Sequence, residues 1–478
     1  MRALPPLLSA LLALPALAQD PWTPAGQPPP GFDRERAQRD CRELAEGLIR
    51  LDTRNPPGNE RLAAEYLAER LRAVEGFEVH VLDAGEGRAN LIARLRAAQP
   101  VARPVIVMGH MDVVGTQDER WSTRPLVPTV VGEHLHGRGA IDDKGPLAAA
   151  VAALLQLAPL RATLGRDLIL LATAAEEGGP NVGIDLVLER HRDLLGDAEL
   201  ALNEGGRVRV EGGRIKSVNV QTTEKVYYEV LARAKGPSGH GSVPLPDNAL
   251  AALARAVSRV HAWRAPVHLI DTTRRYFAAL AAVEPDPELA RAMREVGADD
   301  PAVRERAAAT LARVPQHDAV LRAGTSLTKL EGGFRANVIP SEGTATFNVR
   351  VVPGEDIAAI VSAMQAAGGE PQVTFELVGD PRPSPPESPV GTALYRALEA
   401  AARAMAPEAA VIPFMSTGAT DAAALRAAGI PTYGILPFPL ESADELRMHG
   451  DDERVPLRAL GWGTELFFRT LLGVAAER

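Results

Sequence analysis

Short, almost purely apolar runs alternate with helix-patterned stretches through the first half of the chain. Residues 105–108 (Val-Ile-Val-Met), 167–172 and 198–202 are too short for helices and nearly free of polar residues, the pattern of strands buried on both faces. Residues 146–157 are rich in Ala and Leu and read as a helix, and residues 34–50 carry apolar positions at helical spacing. Buried strands alternating with helices predict a mainly parallel α/β sheet. The pattern changes near Arg214. Alternation such as Val218-x-Val220 and Tyr228-x-Val230 over 215–231 predicts half-exposed antiparallel strands. A helix over 247–263, a charged, largely solvated helical stretch over 285–313, strands over 325–330, 344–352 and 372–377, and a helix over 356–367 follow. The Pro-rich segment 381–389 reads as a linker, after which helices and short apolar runs such as 432–436 return. The fold class this predicts is α/β, a mainly parallel sheet domain (32–213 and 379–478) interrupted by an inserted α+β domain of antiparallel sheet plus helices (214–378).

The N-terminus departs from this pattern. Residues 7–17 form an apolar run too short to span a bilayer, and Ala16-Leu17-Ala18 is a small-x-small cleavage pattern, so residues 1–18 read as a signal peptide cut after Ala18. Pro5, Pro6 and Pro15 argue against the competing reading, a buried amphipathic helix. Residues 19–31 are rich in Pro and Gly and read as a flexible tether. Gln19 rather than Cys follows the cut, so no membrane anchor is expected after cleavage, and the mature chain is expected to be secreted or periplasmic.

Composition narrows the chemistry. A single cysteine, Cys41, excludes an internal disulfide and a thiolate-rich zinc site, and it reads as a core residue. A net charge of −9 with no basic run argues against a nucleic-acid partner. The length of 478 residues predicts two or three domains.

Four glycine-bearing segments place metal-ligand residue types beside apolar runs. In Gly109-His110-Met111-Asp112, strand geometry points His110 and Asp112 to one face, which suits a histidine ligand held by a carboxylate. In the segment 137–145 (Gly-Arg-Gly-Ala-Ile-Asp-Asp-Lys-Gly), glycines surround Asp142 and Asp143, one of which is expected to cap the following helix. Glu176 and Glu177 adjoin after the strand that begins near Leu168, and neighbouring carboxylates there repel unless a cation or a shared proton intervenes. Glu204 lies in Asn203-Glu204-Gly205-Gly206. Carboxylates and histidine at successive strand ends, without thiols, suit a hard or borderline divalent ion. His449 in Met448-His449-Gly450-Asp451 is a further candidate whose membership composition leaves open.

The order of these segments resembles the M20 family of co-catalytic zinc peptidases, over nearly all of the chain from Phe32 onward. The family includes carboxypeptidase G2, aminoacylase-1, a succinyl-diaminopimelate desuccinylase, carnosinase-type dipeptidases and carboxypeptidase S. The resemblance implies that His110 and Glu204 hold one zinc, Glu177 and His449 the other, and that Asp142 bridges both, with a cis peptide to Asp143. Co²⁺ or Mn²⁺ are possible substitutes. It further implies that Asp112 orients His110 and that Glu176 is the general base. The insert becomes a lid and dimerisation domain, and a homodimer through it is expected. Its His240, in Gly239-His240-Gly241, matches the family's oxyanion-contacting histidine, often supplied to the partner subunit. Asn337 and Arg350 match substrate-binding positions, Arg350 for a carboxylate; an ordinary strand residue is the competing reading for Arg350. Asp421, in Thr417-Gly418-Ala419-Thr420-Asp421, is either near substrate or purely structural. His134 and His136 have tempting H-x-H spacing, but the resemblance places no ligand there.

The reaction so implied is hydrolysis of an amide bond in short peptides by a dipeptidase or carboxypeptidase. An N-acyl-amino-acid hydrolase is the alternative within the family. Glu204, in place of the Asp frequent in dipeptidase relatives, and the long insert 276–313 point towards carboxypeptidase and acylase members without deciding. A non-catalytic binding protein would be expected to have lost Glu176 or a ligand, and a phosphoesterase to carry more basic residues near the motifs.

Overall fold

The computed structural model describes residues 20–476; the signal peptide read over 1–18 lies outside the described residues. Its centre is an eight-stranded sheet. From one edge to the other the strands are Ala410–Ser416, Arg214–Glu224, Thr432–Glu441, Leu200–Glu211, Val105–His110, Leu168–Thr173, Ala89–Leu95 and Phe77–Asp83. The core pairings are parallel, Val105–His110 with both Leu168–Thr173 and Leu200–Glu211, and Thr432–Glu441 with Leu200–Glu211. Antiparallel pairing is confined to the Phe77–Asp83 side and to Arg214–Glu224. Every residue of Val105–His110 and Leu168–Thr173 is buried, as their continuous apolar character requires. On one face the helices Arg34–Arg50, Lys144–Leu157 and Leu457–Ala476 pack on one another. Lys144–Leu157 is buried nearly all round, and its run of alanines is what lets neighbours approach so closely.

The inserted part is a four-stranded antiparallel sheet, Gly324–Gly332, Glu342–Val351, Val226–Lys235 and Val373–Val378 in that order. Helices Ala249–Ala262 and Ile357–Gly368 share a core with it, capped by Asn248 and Asp356 through side-chain bonds of 3.2 and 2.9 Å. The fold class is therefore α/β with an inserted α+β part, as the pattern predicts.

Three local expectations differ from the structure. Strand Arg214–Glu224, which patterning alone groups with the insert, hydrogen-bonds in the large sheet, so the chain passes from one sheet to the other between Glu224 and Val226. Alternation reports that a segment is a strand but not which sheet it joins. Segment 20–31, read as a tether, lies against the body: Ala25 N–H donates to the Met405 carbonyl at 2.9 Å and Trp22 Nε1 to the Pro439 carbonyl at 3.1 Å. Its prolines remove donors, yet the indole and the amides of Trp22, Thr23 and Ala25 find partners. The stretch 285–313 is helical but not merely solvated. With helix Asp271–Leu280, helices Pro287–Glu295 and Pro301–Leu311 bury Phe277, Met293 and Leu311 against Ile412 and Met415 of the large sheet's edge strand.

Candidate metal centre and active site

Strand Val105–His110 delivers His110, 2% exposed, to the carboxyl edge of the large sheet. Its Nδ1 lies 3.0 Å from the Asp112 carbonyl oxygen and 3.6 Å from Asp112 Oδ1. Its Nε2 lies 2.8 Å from Asp142 Oδ1. The other oxygen of Asp142, Oδ2, lies 3.0 Å from His449 Nε2, and that nitrogen lies 3.0 Å from Glu177 Oε1. One carboxylate thus faces two histidines that are far apart in sequence, with Glu177 beside the second. The peptide between Asp142 and Asp143 is cis.

The surrounding bonds explain how the chain holds this arrangement. Asp112, fully buried, accepts the backbone N–H groups of Glu176 and Glu177 at 3.1 Å each and the Asn55 side chain at 2.9 Å. The ring of His110 is oriented chiefly by the carbonyl of Asp112; the carboxylate expected to do so is spent mainly on the Glu176–Glu177 turn. Asp143 occupies the N-cap position of helix Lys144–Leu157, but its side chain makes no cap bond. Instead its Oδ2 accepts the backbone N–H of His110 at 3.1 Å. Gly109 allows this, because a Cβ there would meet Asp143 Oδ2. Gly145 is required by the approach of the Ala140 carbonyl to the position its Cβ would occupy.

Electrostatics distinguish the members. The His110 ring is raised well above its ordinary pKa although burial opposes this, because Asp112, Asp142 and Glu176 face it. Asp142 is held below the carboxylate range, against burial, by His110 and His449. Bonds to Asp142 and Glu177 raise His449 to about 10. Burial first, and Asp142 next, push Glu204 up to about 8. Glu176 is raised well above the carboxyl range, by burial first and then, against the pull of His110, by Glu204 and Asp421. Glu204 and Glu176 therefore sense the same charges as the His110–Asp142–His449 cluster. Asp421 accepts from Thr173 Oγ1 at 2.6 Å, and burial pushes it up to about 7.

These residues fit a divalent cation. With Nδ1 beside a carbonyl and Nε2 beside Asp142, the raised His110 ring holds a proton at the position a cation would take. Glu177 Oε1 is buried with the His449 ring nitrogen beside it at 3.0 Å. Ligand atoms of His110, Asp142 and Glu177 lie within 4.8 Å of one another, and the donors are imidazole and carboxylate without thiolate. His449 adopts φ of 60°, a region uncommon outside glycine and typical of residues held for function.

The insert residues form a separate group. Strand Gly239–His240 pairs with Val338–Ile339, and Gly241 N–H donates to the Asn337 carbonyl at 2.8 Å, which brings His240 and Asn337 together at an exposed tip. His240 Nδ1 lies 2.7 Å from Ser242 Oγ. Arg350 sits inside strand Glu342–Val351, 4.8 Å over the Tyr227 ring, with Nε donating to Asn348 at 3.0 Å and a buried Nη1 that has no partner. Among the described residues, none of the three touches the metal-ligand cluster. His134 and His136 also stay apart from it; His134 lies 3.5 Å from Asp444.

Sequence reading missed Arg138 and Glu453, a buried pair with Nη1 2.6 Å from Oε2. Glu453 also accepts the backbone N–H groups of Gly139, Ile141 and Asp142 at 3.0, 2.7 and 3.0 Å. The only sequence signal was a glutamate four positions after His449, hidden among neighbouring acids.

Residues 106–473 match the model of peptidase family M20/M25/M40. The chain is 26% identical over 375 residues to a probable carboxypeptidase S-like 2 of Dictyostelium discoideum, covering 77% of this chain and 71% of that protein. It is 24% identical over 387 residues to the N-fatty-acyl-amino acid synthase/hydrolase PM20D1 of Homo sapiens, covering 79% and 75%. The crystal structure of the M20 family metallo-carboxypeptidase Sso-CP2 from Sulfolobus solfataricus superposes with a TM-score of 0.67 at 17% identity, over 91% of this chain and 99% of that one.

Proposed function

The chain belongs to peptidase family M20/M25/M40 and is a metal-dependent amidohydrolase, and from that premise we propose that it cleaves the amide bond beside a free carboxylate in short peptides, as a dipeptidase or carboxypeptidase. The observation that carries the proposal is Asp142, whose two oxygens face His110 and His449 at 2.8 and 3.0 Å. A carboxylate so placed suits a bridge between two cations, one on the His110 and Glu204 side and one on the Glu177 and His449 side. Zinc suits the imidazole and carboxylate donors, and Co²⁺ or Mn²⁺ would substitute. When bound, such ions acidify water and polarise a carbonyl.

Glu176 does the proton work. Placed by the Asp112 carboxylate at the turn beside Glu177, it would take a proton from water as a carboxylate and return it to the leaving nitrogen. Arg350, with one guanidinium nitrogen buried and unpartnered, suits a substrate carboxylate. His240 and Asn337, side by side at the tip of the insert, are the groups that would meet the reacting carbonyl once the insert, their own or a partner subunit's, closes on the cluster.

A second reading is an N-acyl-amino-acid hydrolase. It is favoured by the likeness to the N-fatty-acyl-amino acid synthase/hydrolase and needs the same carboxylate beside the same bond. Hydrolysis of a mixed panel of dipeptides, C-terminally blocked peptides and N-acyl amino acids, run beside Glu176→Gln, separates the readings. Turnover of free-carboxylate substrates is expected, with a loss of about 10²–10⁴-fold in Glu176→Gln at unchanged metal content. Equal turnover of blocked peptides, or an active Glu176→Gln, sinks the proposal.

We propose further that the chain is exported and dimeric. Export is supported by the apolar run and small-x-small site of residues 7–18; N-terminal sequencing that finds residue 1 on the mature protein overturns it. A dimer through the insert is supported by the edge strand Gly324–Gly332, where Leu330 is exposed near Phe334. Sedimentation showing a monomer at assay concentration overturns that.

A further inference from the structure

We infer that Arg138 and Glu453 are positioning residues that set Asp142, the carboxylate shared by the two cation sites, relative to His449, and so shape the His449 site more than the other. This rests on the two-cation reading above. The pair is buried, with Arg138 at 2% and Glu453 at 0% exposure. An ion pair so deep is weak evidence of stabilisation, since desolvation offsets its Coulomb gain. Its bonds point to geometry instead.

One oxygen of Glu453 accepts from Arg138 at 2.6 Å and from Gly139 N–H at 3.0 Å. The other accepts from Ile141 N–H at 2.7 Å and from Asp142 N–H at 3.0 Å, so the glycine loop that carries Asp142 is wrapped on one carboxylate. Arg138 in turn donates through Nη2 to the carbonyl of Gly450 at 2.8 Å, the residue after His449. The two loops come from distant parts of the chain, and this pair joins them side chain to backbone in both directions. The remaining ligands are held by other means: His110 N–H by Asp143, and the Glu177 N–H by Asp112. A lesion at Glu453 therefore moves the shared Asp142 and, through Arg138, the loop of His449, so it falls hardest on the side that holds both and less on the His110 side.

The test is a stepwise zinc titration in competition with a chromophoric chelator, on wild type, Glu453→Gln and Arg138→Lys, with far-UV circular dichroism and melting as checks of folding. Glutamine keeps the shape but presents an amide N–H₂ to backbone donors, whereas lysine keeps the charge and cannot reach both Glu453 and Gly450. Wild type is expected to bind two ions, and each variant to weaken one site by about 10–100-fold, the usual cost of disturbing groups behind a ligand, and the other clearly less. Unchanged binding, equal weakening of both sites, or loss of folding in both variants overturns the inference in favour of a purely structural pair. Fewer than two ions on wild type instead overturns the two-cation reading itself, and this inference with it.

Discussion

Asp112 accepts the backbone N–H of Glu177 through Oδ2 at 3.1 Å, while its other oxygen accepts that of Glu176. The same residue's carbonyl faces His110 Nδ1 at 3.0 Å. One buried aspartate therefore sets both a candidate ligand's ring and the turn that carries the candidate base and a second ligand.

Asp112→Asn should disturb the turn that carries Glu176 and Glu177 while leaving the backbone carbonyl beside His110 in place. The amide keeps one acceptor, and its N–H₂ group meets a backbone N–H donor in the turn, an unsatisfied arrangement inside a buried site. We expect metal affinity to fall about 10–100-fold and kcat to fall with it. Calorimetric zinc titration and steady-state kinetics check this, and a variant with wild-type affinity would show that the turn holds itself.

Zinc binding should expel protons and tighten as pH rises. His449 is raised to about 10 by Asp142 and Glu177, so without a cation it is protonated at neutral pH. Burial and Asp142 raise Glu204 to about 8, so below that pH it too holds its proton. A cation needs the neutral imidazole and the carboxylate, so protons compete with it. The apparent affinity should climb from pH 6 to 8 as these groups and the raised His110 ring release protons on binding, and more shallowly above 8, where Glu204 is already ionised. Calorimetry in buffers of different ionisation enthalpy counts the protons, and an affinity flat across this range contradicts the assignment.

Leu311→Ala distinguishes a packed helical excursion from a solvated one. Leu311 is fully buried in the cluster that includes Phe277, Met293 and Met415. Truncation there should cost about 2–5 kcal/mol, against less than about 0.5 kcal/mol for a solvent-facing position. Urea unfolding followed by circular dichroism measures the difference.

The sequence by itself marked the buried strands at the centre of the sheet, several helices and the candidate ligand residues, because those signals are local. The apolar run ending at His110, the glycines around Asp142 and the adjacent Glu176 and Glu177 each carry their meaning within a few residues, whereas the strand periodicity read across His110 and Asp112 stops at His110. Tertiary structure decided the rest, because pairing between distant segments leaves no local trace. Val218-x-Val220 reads alike in either sheet, and only the partners of Arg214–Glu224 place it in the large one. Asp143 has the composition of a helix cap but turns to the His110 amide once that strand lies beside it. Arg138 and Glu453 look in sequence like two solvated charges. Only the fold, by removing both from water and bringing them within 2.6 Å of each other, makes them a clamp on the loops that carry Asp142 and His449.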